Sequence, residues 1–306
     1  EIATTDYKEA ISGADIIFIT VPAFAHKNVF DRASQYLAKG QIVVFTPGNF
    51  STLMAYKVLK KMGKENDVVL AETTTLPYGA RMVEEGHVRI IIQTICNPVA
   101  AMPNNRTTEV VEKLKELYPE VIDGGNVIQV AASNPNPNAH PVATILNAGR
   151  IEFADTFYLY REGFTPSIHR VVKRVDEEKR KVLNELGMKI IEPNKIEGKF
   201  SALDAMSLFF GPNALAAGRQ MVGPLSLEDR YVTEDIPYGY KPISLLGKTL
   251  GVKTPITDAI IAIASAINKT DYTKVGYTLE DLGFAGLSSQ QIIKYLQTGK
   301  IMEQDF

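Results

Sequence analysis

Short apolar, β-branched runs alternate with amphipathic stretches along the first third of the chain, and this alternation constrains the fold more than any other feature. Ile16-Ile17-Phe18-Ile19-Thr20-Val21 is continuously apolar, as a strand covered on both faces must be, and Pro22 ends it. Residues 27 to 39 have the pattern of a helix closed by Gly40. Ile42 to Phe45 reads as the next strand, stopped by Thr46-Pro47-Gly48-Asn49, and residues 51 to 62 as a helix closed by Gly63. Val68 to Glu72 and Val88 to Thr94 read as further strands, Thr107 to Leu117 as a helix, and Asn126 to Ala131 as a last strand. Strands separated by helices imply parallel βαβ units, so the expected fold is α/β, a Rossmann-like doubly wound parallel sheet.

The pattern changes after Ser133. Asn134 to Pro141 is rich in asparagine and proline, and helical spacing dominates beyond it, near 141–157, 176–187, 201–210, 241–250, 255–268 and 287–297. A chain of 306 residues exceeds what one ordinary core organises. The expected organisation is therefore a dinucleotide-binding-type domain over 1–133 and a mostly α-helical domain over 134–306. Opening on Glu1 inside a patterned segment, the numbering is expected to start partway through the first domain.

With 45% hydrophobic and 22% charged residues, the composition is that of a globular protein, and a net charge of -2 gives no electrostatic reason to expect a nucleic acid or an anionic membrane as partner. No apolar run reaches the ~18 residues of a membrane span. Cys96 is the one cysteine, which excludes an internal disulfide and fits a reducing, cytoplasmic setting. It follows the apolar run Val88–Ile95 and is expected to be a buried thiol. Closed two-fold assemblies are the commonest kind, so a homodimer is the default expectation.

Ligands of a doubly wound sheet bind beyond the carboxyl ends of its strands. Three such ends carry small or polar residues: Val21-Pro22-Ala23, Thr46-Pro47-Gly48-Asn49 and Glu72-Thr73-Thr74. The glycine fingerprint G-x-G-x-x-G is absent, and Gly124-Gly125 opens no helix. Either the chain is not a dinucleotide enzyme or its first βαβ unit precedes Glu1, and the abrupt start favours the second. His140 has the densest polar company of the four histidines, and Pro141 after it suits the first turn of a helix. A histidine acting as acid and base needs a carboxylate to fix its tautomer, and Asp235 in Arg230-Tyr231-Val232-Thr233-Glu234-Asp235-Ile236-Pro237-Tyr238-Gly239 is the best candidate. Arg230 beside it is suited to grip a carboxylate through two parallel hydrogen bonds. His26 reads as a helix-start residue, and His87 and His169 carry no assignment. No H-E-x-x-H, C-x-x-C or G-x-S-x-G occurs, so neither a metal site nor a serine hydrolase has an anchor.

Taken together, Asn134–Pro141, Leu146-Asn147-Ala148-Gly149 and Glu234–Gly239 resemble the opine dehydrogenases, the octopine/nopaline dehydrogenase family, without the glycine-rich start of that family's cofactor domain. The strand ends resemble the later half of that domain, and the part after Ser133, to the closing Thr278–Gly283, resembles its substrate domain. The resemblance implies NAD or NADP as cofactor and an amino acid and an α-keto acid as substrates, condensed to an imine that the cofactor reduces. It makes His140 the catalytic acid/base, Asp235 its orienting carboxylate and Arg230 the keto-acid clamp. It also places Glu72, Thr73 and Asn134 among the substrate contacts, and Val21, Pro22, Ala23, Thr46, Gly48 and Asn49 at the cofactor. Two other readings fit the same strand ends. One is another two-domain NAD(P)-dependent reductase of 2-hydroxy-acid or ketopantoate type, and the other is a non-enzymatic ligand-binding relative.

Overall fold

The computed structural model describes residues 2–193, 209–211 and 214–301, and the helix expected at 201–210 lies almost wholly outside them. Among the described residues there are seven strands: β1 Ile16–Ile19, β2 Ile42–Phe45, β3 Val69–Thr73, β4 Tyr78–Glu84, β5 His87–Gln93, β6 Asn97–Met102 and β7 Val121–Asp123. The chain divides into two compact units. One comprises residues 1–75, 98–132 and 278–306; the other comprises 76–97 and 133–277. One break falls between Ala132 and Ser133, beside the 133/134 boundary expected from the sequence, and two further segments are assigned differently. Residues 76–97 lie with the helical unit, and 278–306 return to the sheet unit.

The sheet unit has strand order β1-β2-β3-β6-β7. β1, β2 and β3 run parallel, and β6 pairs antiparallel with β3, so the sheet is mixed where an all-parallel one was expected. Its core includes Val44, Val69, Ala71, Val99, Val110 and Leu114. The helices after the first two parallel strands are Ala23–Ala33 and Ser51–Met62. Ser51–Met62 ends on Gly63 in the left-handed conformation that glycine adopts at least cost. Helix Ser289–Thr298 brings Tyr295 onto Tyr56, with ring centroids 6.1 Å apart, which is why the closing segment belongs to this unit.

Two strand expectations are corrected here. Val88–Thr94 does not enter this sheet. As β5 it forms an exposed two-stranded hairpin with β4 in the other unit, and Asn97–Met102, buried throughout, takes the place in the sheet. Asn126–Ala131 is helical, Val127–Ala132, because the Asn126 side chain accepts from the backbone N–H of Ile128 (3.0 Å) and Gln129 (3.2 Å). An apolar helix buried on nearly every side loses its 3.6-residue signature, and the capping asparagine decides.

The helical unit is built on Pro135–Ile145, Pro166–Glu185, Lys241–Thr249 and Pro255–Ile267 around Val142, Val172, Val232, Ile236, Ile260 and Ala264. Buried Glu178 joins two of them: its carboxylate accepts from the backbone N–H of Ile256 and Thr257, both at 2.9 Å, and so caps Pro255–Ile267 from another helix. Cys96 is buried, and burial pushes its thiol pKa up. Among the described residues no helix is long and apolar enough to cross a membrane, and no three His, Cys, Asp or Glu side chains group as metal ligands.

Candidate active site

Helix Pro135–Ile145 is capped by Asn134, whose Oδ1 accepts from the Asn136 backbone N–H at 3.0 Å. Pro141 therefore lies in the interior of the helix, where a first-turn position was expected. Lacking an N–H, it leaves the Pro137 carbonyl without the usual i→i−4 donor. His140 projects from this helix and is 4% exposed. Its Nδ1 lies 2.8 Å from Asp235 Oδ2, its Nε2 lies 2.7 Å from the Tyr160 hydroxyl, and its ring stacks on Tyr231 with centroids 3.8 Å apart.

Three local features bring these groups together. Gly239 lies against Pro137, where an added Cβ would approach the proline Cβ to 2.6 Å; any larger residue would push the Asp235 turn away from the His140 helix. Asn147 donates to the carbonyls of Ala143 (2.7 Å) and Gly163 (3.0 Å), tying the same helix to the π turn Leu159–Gly163 that carries Tyr160. Lys179, almost wholly buried, donates to Asn138 Oδ1 at 3.2 Å and pairs with Asp176, anchoring the helix from its other side.

A carboxylate can only accept, so Nδ1 carries the hydrogen that Asp235 holds, and Nε2 presents its lone pair to the Tyr160 hydroxyl. Burial raises the Tyr160 hydroxyl pKa well above 10, with Tyr231 and Asp235 adding to it, so the phenol keeps its proton. Arg230 lies 3.4 Å from Glu234 Oε2 with about half its side chain exposed. Burial opposes its charge, but the neighbouring Glu234 and Asp235 outweigh that and hold the guanidinium above its ordinary value.

The structure thus joins the two expected catalytic residues, His140 and Asp235, and adds Tyr160 and Tyr231, which sequence reasoning missed. Tyr231 stood inside a quoted motif; Tyr160 lies in Tyr158-Leu159-Tyr160-Arg161, where nothing distinguishes it from a core aromatic. The expected substrate contacts Glu72, Thr73 and Asn134 each make hydrogen bonds within the protein. Asn134 is a helix cap. Glu72 is fully buried and accepts from the backbone N–H of Phe50 (3.2 Å) and Thr52 (3.0 Å) at the start of helix Ser51–Met62. Burial nevertheless lifts its pKa to about 7, against the lowering by those donors. Thr73 Oγ1 lies 2.8 Å from both Thr46 Oγ1 and the Thr75 carbonyl.

The expected cofactor positions form the strand ends of the sheet unit, but several face inward. Gly48 leaves room for Glu72, where a Cβ would approach the glutamate Cβ to 2.1 Å, so this glycine accommodates a protein side chain. Ala23, Thr46, Gly48 and Asn49 are buried, and Val21, Pro22 and Pro47 keep a half-buried rim. Beneath that rim His26 Nε2 donates to the Val21 carbonyl at 2.8 Å, and the Ser51 hydroxyl donates to Nδ1 at 2.6 Å. Burial lowers the His26 pKa to about 4, so the ring is neutral and this tautomer is fixed.

Residues 123–268 match the family model described as NAD/NADP octopine/nopaline dehydrogenase, alpha-helical domain. An opine dehydrogenase from Arthrobacter sp. (strain 1C) is 27% identical over 292 residues, covering 95% of this chain and 81% of the relative. The solved structure of an octopine dehydrogenase with NADH and L-arginine matches with TM-score 0.72 at 19% identity, over 99% of this chain and 82% of that one. An NADP+-bound yersinopine dehydrogenase matches with TM-score 0.64 at 15% identity, over 95% and 80%. The residues quoted at the outset for their resemblance lie in the matched stretch, apart from the strand ends and the closing Thr278–Gly283, and that stretch is similar to the helical domain of the octopine/nopaline dehydrogenases.

Proposed function

We propose that the chain is an opine dehydrogenase: it condenses the amino group of an amino acid with an α-keto acid and reduces the resulting imine with NADH or NADPH. The observation that carries the reading is the buried His140–Asp235 pair, within the stretch that matches the octopine/nopaline dehydrogenase helical domain. The relatives' own names support the substrate class, since one solved neighbour holds L-arginine with NADH.

The half-buried rim of Val21 and Pro22 would meet the reduced nicotinamide, which supplies a hydride when bound. The helical unit is the substrate domain in this reading. An ammonium cannot attack a ketone, so a base must first take its proton, and an imine accepts hydride best when protonated. His140 serves both needs. Asp235 keeps Nδ1 protonated, so Nε2 is the basic nitrogen, and it stabilises the imidazolium once that nitrogen takes a proton. Arg230 holds the keto-acid carboxylate, for which it exchanges its long contact with Glu234.

The test is NAD(P)H oxidation with pyruvate and a panel of L-amino acids. Strict dependence on the amine is expected, and His140→Ala is expected to lower kcat by about 10²–10⁴-fold. Oxidation with the keto acid alone would assign the chain to the 2-hydroxy-acid or ketopantoate type instead, and dinucleotide binding without turnover would assign it to a ligand-binding relative. The cytoplasm, where reduced dinucleotides are held, is the setting this reaction needs. A homodimer is part of the same proposal; the exposed apolar side chains of Met82, Val83, Val88 and Ile90 on the β4–β5 hairpin support it, and light scattering tests it.

A further inference from the structure

Both ring nitrogens of His140 have partners. Nδ1 faces Asp235, Nε2 faces the Tyr160 hydroxyl at 2.7 Å, and Tyr231 lies stacked over the ring. Asp235 is 6% exposed and His140 is 4% exposed, so no substrate nitrogen reaches Nε2 while Tyr160 stays in place. Tyr160 itself retains 8% exposure. It sits in a π turn, a local irregularity often found at functional sites, that Asn147 holds to the His140 helix.

On the functional reading above, we propose that Tyr160 is a further catalytic residue, whose hydroxyl touches the substrate and carries the proton between it and His140. The charged and titratable groups around the hydroxyl are His140, Tyr231, Asp235, Arg230 and Arg81. Among the described residues no cation makes a hydrogen bond with it, and burial keeps it neutral, so it passes protons without ionising.

The substrate ammonium gives a proton to Tyr160 Oη while the hydrogen of Tyr160 moves to His140 Nε2, leaving a free amine and an imidazolium. The amine lone pair forms the C–N bond to the keto carbon, the C=O π pair moves to oxygen, and a proton passes from nitrogen to that oxygen. The imidazolium then returns its proton to Tyr160, whose own hydrogen goes to the carbinolamine hydroxyl. The C–O bond breaks, water leaves, and the nitrogen lone pair forms the iminium. Ammonium and ketone have become iminium and water, and the relay is back in its starting state. Hydride from the reduced cofactor completes the reaction, and the product amine takes one proton from solvent.

The experiment compares wild type, Tyr160→Phe, His140→Ala and the double variant with NADH or NADPH, pyruvate and the L-amino acid panel. Tyr160→Phe is expected to lower kcat by about 10²–10³-fold with KM changed less than about threefold, and the second substitution to add less than about tenfold, because the two residues act as one unit. Rates in mixtures of H2O and D2O are expected to fall along a curve in wild type, for two protons in flight, and along a line in Tyr160→Phe. A Tyr160→Phe enzyme within about threefold of wild type, or effects that multiply in the double variant, would overturn the relay. Failure of the functional reading looks different, as wild type without amine-dependent oxidation. Nitrogen-15 spectra of the His140 ring are independent of turnover: Nε2 is expected as an unprotonated acceptor that shifts in Tyr160→Phe, and a protonated Nε2 in the resting protein overturns the relay by itself.

Discussion

Helix Ser51–Met62 begins between two buried ionisable groups that respond to pH in opposite senses. Glu72 accepts from the backbone N–H of Phe50 and Thr52, and His26 accepts from the Ser51 hydroxyl. The folded-state pKa of Glu72 is raised from 4.5 to about 7 by burial. Its contribution to stability is therefore full below pH 4.5 and lost as pH rises through about 7. The folded-state pKa of His26 is depressed from 6.5 to about 4, again by burial. Its contribution is full above pH 6.5 and lost as pH falls through about 4. Each displacement corresponds to about 3 kcal/mol at about 1.4 kcal/mol per pH unit. Between pH 4.5 and 6.5 the two trends nearly cancel, because each changes by about 2 kcal/mol across that window in the opposite direction.

Removing one group exposes the other. Glu72→Gln should make the opening free energy of the Ser51–Met62 amides rise by about 2 kcal/mol from pH 4.5 to 6.5, and His26→Gln should make it fall by about as much. Either substitution also shifts the whole profile through its lost hydrogen bonds, so the slope is the readout. Hydrogen exchange of those amides, corrected for intrinsic chemistry, measures it residue by residue and avoids assuming that both units unfold together. A wild-type profile sloping by 2 kcal/mol, or three parallel flat profiles, would refute the reasoning.

Two further changes test the frame around the site. Gly239→Ala puts a methyl 2.6 Å from Pro137 Cβ, and this overpacking is expected to cost about 1–3 kcal/mol in thermal unfolding and to lower kcat more than it changes KM, since it moves Asp235 away from His140. Glu178→Ala leaves the Ile256 and Thr257 N–H groups at a buried helix start without their acceptor, which is expected to cost about 2–4 kcal/mol and to deprotect residues 255–260 first in hydrogen exchange.

The chain order of strands and helices was legible because it rests on periodicity. Ile42–Phe45 and 51–62 match the expectation, and the helix expected at 255–268 ends one residue early. Periodicity failed where burial is complete or where a strand is not part of the main sheet. Val127–Ala132 is buried on nearly every side and so has no polar face to reveal a period of 3.6. The run from Val88 is apolar enough for a core strand, yet it lies in an exposed hairpin closed by Glu85-Gly86, with Gly86 at φ 75. Composition does not say which of two apolar runs joins the sheet; the pairing partner β3 selects Asn97–Met102.

The site divides along a different line. His140 and Asp235 lie 95 positions apart; the need of an acid/base histidine for a carboxylate partner singled out Asp235 in its charged run, and the motif resemblance added the long-range information that spacing lacks. Tyr160 had no motif, and its part is visible only once both ring nitrogens of His140 have named partners. Glu72 is the opposite case, a residue with a motif and an internal use that the motif did not reveal. A glutamate at the end of a parallel strand is where ligand contacts are expected, but the same strand end also faces the start of the next helix, whose first N–H groups need acceptors. Gly48, read as room for a cofactor, is room for this carboxylate. A polar residue at such a position has two competing uses, and local sequence does not rank them. What ranks them is whether another acceptor covers the helix start. Here the residue before the helix is Phe50, which has no side-chain acceptor, so the N–H groups take the carboxylate from β3.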